Sequence, residues 1–118
     1  MLPLKQPVLM DYNEAEALAL AIHQWLEDQV QHGPAPGRRL AVVQVLSVRI
    51  LQKLALRLMR KSIAVKQKPK RKPFLFNFSL EEMLAVRACI TFRAGDFHLQ
   101  KVLGSVNQKL LNYGQLIG

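Results

Sequence analysis

A chain of 118 residues, half of them apolar and 21% charged, is long enough for one folded domain with its own core and is not the composition of a disordered chain. A single cysteine, Cys89, excludes an intramolecular disulfide and a cysteine-rich zinc site, and fits a reducing, cytoplasmic setting. The formal charge of +9 is unevenly placed: residues 1–28 hold five acids against one lysine, whereas residues 29–80 hold twelve lysines and arginines and no acid.

The chain opens with MLPLKQPVLMDYNEAE, where two prolines break a short apolar patch, so no secretory signal is expected. VLMDY, after Pro7, reads as a short extended segment. Asn13 is the expected N-cap of the first helix, with Glu16 three residues on completing a capping box and Tyr12 placed to staple onto Ala17. Leu18, Ile22, Trp25 and Leu26 then recur at helical spacing, opposite Glu16, His23, Glu27 and Gln31, which predicts an amphipathic helix over 14–32. HGPAPG stops it, with Gly33 as C-cap and Pro34 and Pro36 blocking continuation.

A long second helix is expected over about 38–63, with Leu40, Val43, Ser47, Ile50, Leu54 and Leu58 as its seam. Leu40 to Met59 has the length of a membrane span, but Arg49, Lys53 and Arg57 are each costly at mid-depth, so no membrane partner is expected. KQKPKRKP, Lys66 to Pro73, follows; its prolines and like charges oppose packing and mark residues 64–72 as a basic linker.

FLFNF places Phe74, Phe76 and Phe78 on one face of a second extended segment. Ser79 and Glu82 form a second capping box, opening a helix over 80–93. Gly95 punctuates it. A last helix over 96–113 carries Leu99, Val102, Leu103, Val106, Leu110 and Tyr113 on one side, and Gly104 weakens it modestly.

The two halves repeat. At a constant offset of 66, PVLMDYNEAEALALA from Pro7 lies above PFLFNFSLEEMLAVR from Pro73, matching Leu9 with Leu75, Glu16 with Glu82 and Leu18 with Leu84. The expected fold is mainly α: a duplicated strand-helix-helix unit, residues 7–63 and 73–113, joined by the linker into a single domain. An isolated extended segment must pair its backbone, and the simplest partner for each is the other. The two ribbons then form an antiparallel pair about a pseudo-twofold axis, with four helices burying their apolar faces together. The rival arrangement pairs the ribbons between subunits of a homodimer.

The order ribbon, helix, helix is similar to that of the ribbon-helix-helix family of DNA-binding proteins, best over Pro73 to Asn112, where Ser79, Glu81 and Glu82 open the first helix. The resemblance implies a paired ribbon laid in the major groove. Here the outward residues would be Leu9, Asp11, Leu75 and Asn77, which offer almost nothing to a base edge, so no base-reading residues are carried over.

Phosphate has a better candidate surface. Arg49, Lys53, Arg57, Arg60 and Lys61 recur every three or four residues and form one stripe, which runs into Lys66, Lys68, Lys70, Arg71 and Lys72. Such a surface suits the backbone of nucleic acid, bound without sequence specificity, or an acidic protein. The second function class is an assembly or adaptor subunit that meets other proteins through apolar helix faces and ribbons. An enzyme is not expected: His23 with Glu27, and His98 near Asp96, lack a nucleophile or a third ligand at telling spacing, and there is no Walker, dinucleotide, HExxH or GxSxG pattern. Neither a cofactor nor a metal is implied.

Overall fold

The computed structural model describes the backbone of residues 5–31, 42–90 and 96–117, with side chains at all of these except 30, 31, 42–46 and 113–117. Strand β1 (Lys5–Met10) leads into helix α1 (Tyr12–Gln31); helix α2 (Val42–Lys66) precedes strand β2 (Phe74–Ser79), helix α3 (Leu80–Cys89) and helix α4 (Phe97–Ile117). The protein is therefore mainly helical with one two-stranded antiparallel sheet, and both strands come from the same chain. The HGPAPG stop, Gly33, Leu40 and Gly95 lie outside the described residues, as do the side chains of Val43 and Tyr113.

Alternation decides which face of the ribbon is buried. Val8 and Met10 on β1 and Phe76 and Phe78 on β2 point inward, with the two phenylalanine rings edge to face at 5.0 Å. Leu9 and Leu75 sit directly opposite each other on the outer face, 62% and 63% exposed. The register also pairs Val8 with Phe76.

Helix starts follow from their caps. Ser79 accepts from the Glu82 amide while Glu82 accepts from the Ser79 amide, so the second capping box forms as expected. The first helix starts earlier than Asn13: Asp11 Oδ1 accepts from the Glu14 amide at 2.8 Å, and Tyr12 is already helical. Asp11 wins because its charge suits the positive end of the helix dipole and because it follows the last strand residue directly. Met10 and Ala15 then take the stapling positions and both are buried, as Phe78 and Met83 are beside the second cap. The two caps, Asp11 and Ser79, are thus 68 residues apart, and so are Val8 and Phe76.

The core gathers Leu18 and Ile22 of α1, Leu51, Leu54 and Leu58 of α2, Met83 and Val86 of α3, and Leu99, Val102 and Val106 of α4 beneath the ribbon. Along α2 the buried row is Ser47, Leu51, Leu54, Leu58, Ser62 and Val65, so Leu51 takes the inner place expected for Ile50, which is only partly buried. Ser62 is tolerated inside because its hydroxyl donates to the Tyr12 carbonyl at 3.0 Å. Cys89 is buried as expected; burial raises its thiol pKa above the ordinary value, partly offset by a hydrogen bond with Ser47. Trp25 packs at the edge of the core, partly exposed.

Boundaries shift at three further places. Helix α2 runs on to Lys66, which shortens the expected 64–72 linker to residues 67–73, α3 ends at Cys89 rather than at residue 93, and α4 runs on to Ile117 rather than ending at residue 113. Among the described residues no helix is long and apolar enough to cross a membrane.

Candidate nucleic-acid interface

The basic residues of α2 and the linker divide into two sets by what they touch. Arg57 is held against the fold, with its side chain still partly exposed. Its guanidinium pairs with the buried carboxylate of Glu82, donates to the Asn77 carbonyl at 3.0 Å and stacks over the Phe76 ring at 4.9 Å. Lys61 lies over Phe74 at 5.3 Å, and Arg71 over Tyr12 at 5.6 Å. Lys66 reaches Glu16 of α1 at 3.7 Å.

The first two stacking contacts have a geometric origin. Arg57 and Lys61 are one helical turn apart, about 6 Å along α2, and Phe76 and Phe74 are two residues apart, about 6.6 Å along β2. Equal spacing lets a pair of cations sit over a pair of rings, each contact stabilising by about 0.5–1 kcal/mol at a partly exposed site. A lysine and an arginine at i and i+4, followed by an aromatic pair at period two, is a signal legible in the sequence that pattern-matching for phosphate sites passes over.

The second set faces water. Arg49, Lys53, Arg60, Lys68, Lys70 and Lys72 are all exposed, and none has a carboxylate partner among the described residues. Arg49, Lys53 and Arg60 share the outward side of α2, opposite its buried row. The linker is a close turn and not a free arm: the Lys68 amide donates to the Val65 carbonyl at 3.0 Å and the Lys72 amide to the Lys70 carbonyl at 2.9 Å. Arg71 over Tyr12 and Lys66 beside Glu16 set this turn against the start of α1, so Lys68, Lys70 and Lys72 are presented together at one end of the molecule.

Other candidate chemistry stays dispersed. His23 and Glu27 form an exposed pair one turn apart at 3.0 Å, and Asp96 serves as the N-cap of α4, accepting from the Leu99 amide at 3.0 Å. Among the described residues there is no group of three or more histidines, cysteines or carboxylates placed to hold a metal ion. Buried Glu14 meets Lys101 of α4 at 3.4 Å, and its second oxygen has no hydrogen-bond partner. Glu14 and Glu82 each stand three residues after their cap, and each reaches a base on the second helix of the other half.

No family model, no curated protein and no solved structure matches this chain.

Proposed function

We propose that this protein is a non-enzymatic binding protein that grips the phosphate backbone of nucleic acid, without reading its sequence, through Arg60, Lys68, Lys70 and Lys72 and, further along the same helix, Lys53 and Arg49. The observation that carries this reading is the set of exposed cations continuous from α2 into the linker turn, with no carboxylate partner among the described residues. Uncompensated charge on one end raises the local concentration of polyanions and steers their approach. Arg57, Lys61, Lys66 and Arg71 support the surface from behind by fixing the turn and the ribbon.

The aromatic rings beside this end favour a duplex over a single strand. Phe76 and Phe78 are buried, and Phe74 and Tyr12 each already have a cation over them, so no open ring there offers a base a stacking platform.

The chain is further read as two fused strand-helix-helix units related by a pseudo-twofold axis. Support comes from three spacings that agree at 68 residues: cap to cap, Asp11 to Ser79; buried glutamate to buried glutamate, Glu14 to Glu82; and the central ribbon pair, Val8 with Phe76. The offset of 66 read from the sequence matched Asn13 with Ser79; Asp11 being the cap moves it by two residues.

A titration with duplex and single-stranded nucleic acid at 50 and 200 mM salt tests the function. With four phosphates contacted, affinity for duplex falls roughly 10²-fold over that range. The quadruple variant Arg60→Gln, Lys68→Gln, Lys70→Gln, Lys72→Gln loses both the binding and most of its salt dependence. Absence of binding at low salt overturns the proposal and turns the basic end into a candidate surface for an acidic protein.

A further inference from the structure

Most of what the second half (β2, α3, α4) buries, it buries against the first half (β1, α1, α2). Strand β2 pairs with β1, α3 packs on α2, and α4 packs on α1 and β1. The ion pairs cross the same seam: Arg57 of α2 with Glu82 of α3, and Glu14 of α1 with Lys101 of α4. Such a seam is indifferent to which chain supplies its second half. The same faces meet in the same register whether β2, α3 and α4 belong to the chain beneath them or to another copy, so the linker alone decides.

That linker is closed against the preference of its own residues. Lys66, Lys68, Lys70, Arg71 and Lys72 place five positive charges in seven residues, beside Pro69 and Pro73, and like charges and prolines both extend a chain. The turn is nevertheless tight, with its amides bonded to carbonyls two and three residues back. Arg71 over Tyr12 is a contact of the closed turn alone, whereas Lys66 and Glu16 both belong to the first half and keep their contact when the turn opens. Opened, residues 67–73 reach about 23 Å. That is close to the 25 Å shortest extent of the molecule, enough to set one half beside its neighbour.

We infer that this chain also forms a half-exchanged homodimer, in which β2, α3 and α4 of each copy close over β1, α1 and α2 of the other, with the linkers open between them. Closure within one chain has an effective concentration in the millimolar range for a short unstrained linker, and a lower one for a turn that opposes its own charge. Exchange therefore competes from roughly 100 µM upward. Because separation requires undoing the whole seam, the dimer persists on dilution. The inference stands without the nucleic-acid reading, since it uses the seam and its test involves no nucleic acid.

The ribbon supplies a readout of which chain each strand belongs to. Pro7 has no amide proton to give β2, and the carbonyl of Asn77 opposite it accepts from Arg57, so this is a non-hydrogen-bonded pair. Two residues on, Leu9 with Leu75 is another, exposed on the outer face. Their Cα atoms are about 4.5 Å apart, within the span of a disulfide.

The variant Leu9→Cys, Leu75→Cys is refolded under reducing conditions at 1 and at 200 µM, diluted, oxidised, and run on a denaturing gel without reductant. Refolding at 1 µM gives monomer closed by an internal disulfide. Refolding at 200 µM adds a covalent dimer with native circular dichroism. A dimer joined through any other surface keeps its disulfides internal and runs as monomer. Tyr12→Ser, added to the pair, raises the dimer fraction several-fold, because it weakens the closed turn and leaves the seam alone. Internally bonded monomer as the sole product at 200 µM overturns the inference. Equal amounts of covalent dimer from Leu9→Cys or Leu75→Cys alone also overturn it, since in the exchanged dimer each of those cysteines faces a leucine. Cys89, buried in the folded protein, takes no part.

Discussion

Glu82 shows how much one side chain can be asked to do. Its carboxylate closes the capping box of α3 and neutralises Arg57, and the residue is almost fully buried. Replacing Arg57 with Met keeps the stacking volume over Phe76 but leaves Glu82 without its cation. The cost is the desolvation of an unpaired charge, about 2–3 kcal/mol, read as a lowered denaturant midpoint with an unchanged slope. The double variant Arg57→Met, Glu82→Gln recovers most of that loss, because the buried charge is then gone. Gly104 lies at the other extreme: it is helical and exposed, and a Cβ built on it meets nothing within 4 Å. Gly104→Ala therefore stabilises the protein by about 0.5–1 kcal/mol, seen as a rise of a few degrees in thermal midpoint. Cys89 is buried with its thiol pKa raised, so it stays protonated at neutral pH, and its alkylation by iodoacetamide waits on unfolding. Rapid alkylation of the native protein would show that α3 opens locally.

At the scale of elements, the ribbon makes the sharpest contrast. Phe76 and Leu75 are neighbours in sequence, one buried under the helices and the other 63% exposed. Phe76→Ala costs about 3–4 kcal/mol and removes the ring beneath Arg57, whereas Leu75→Thr changes stability by less than about 0.5 kcal/mol; paired chemical denaturation curves separate them. That contrast was legible from period-two alternation, the four helices from helical spacing, and the capping box at Ser79 from the glutamate three residues after it. What sequence patterning misplaced has physical reasons. Asp11 and Asn13 both precede a glutamate by three residues, and only the position of the strand's end decides which one caps. Ile50 and Leu51 are both compatible with a helical seam, and the choice rests on the direction from which α1 and α3 approach. In the basic stripe, residue spacing placed the cations on α2 but did not separate Arg57, turned onto Phe76 and Glu82, from Arg49 and Lys53, turned to water. That separation depends on long-range contacts with β2 and α3.

For the whole molecule, the ribbon is the seam between the two halves. Each strand finds its only partner, among the described residues, in the other half, and each half's buried glutamate is answered by a base from across the seam. Separate fragments, residues 1–68 and 69–118, are accordingly poorly folded alone and recover helical circular dichroism when mixed. Two independently folded fragments that ignore each other would contradict the interlocked arrangement. Charge is distributed on the same large scale, with acids on α1 and uncompensated bases on α2 and the linker turn, so the molecule carries a strong electric dipole as well as net charge. Such a dipole orients the protein before contact, turning the linker end toward a polyanion as it approaches.

The pairing of β1 with β2 has one more consequence, which arises during synthesis. Met10 leaves the ribosome long before Phe74, its ribbon partner, and at about 5–20 residues per second the interval between Met10 and Ser79 is roughly 3–14 s. Throughout that time Val8 and Met10 and the apolar sides of α1 and α2 have no ribbon to lie beneath and no second half to close over them. The nascent chain thus passes through a window in which its apolar strand is open to aggregation or chaperone capture, and the window closes only as FLFNF emerges.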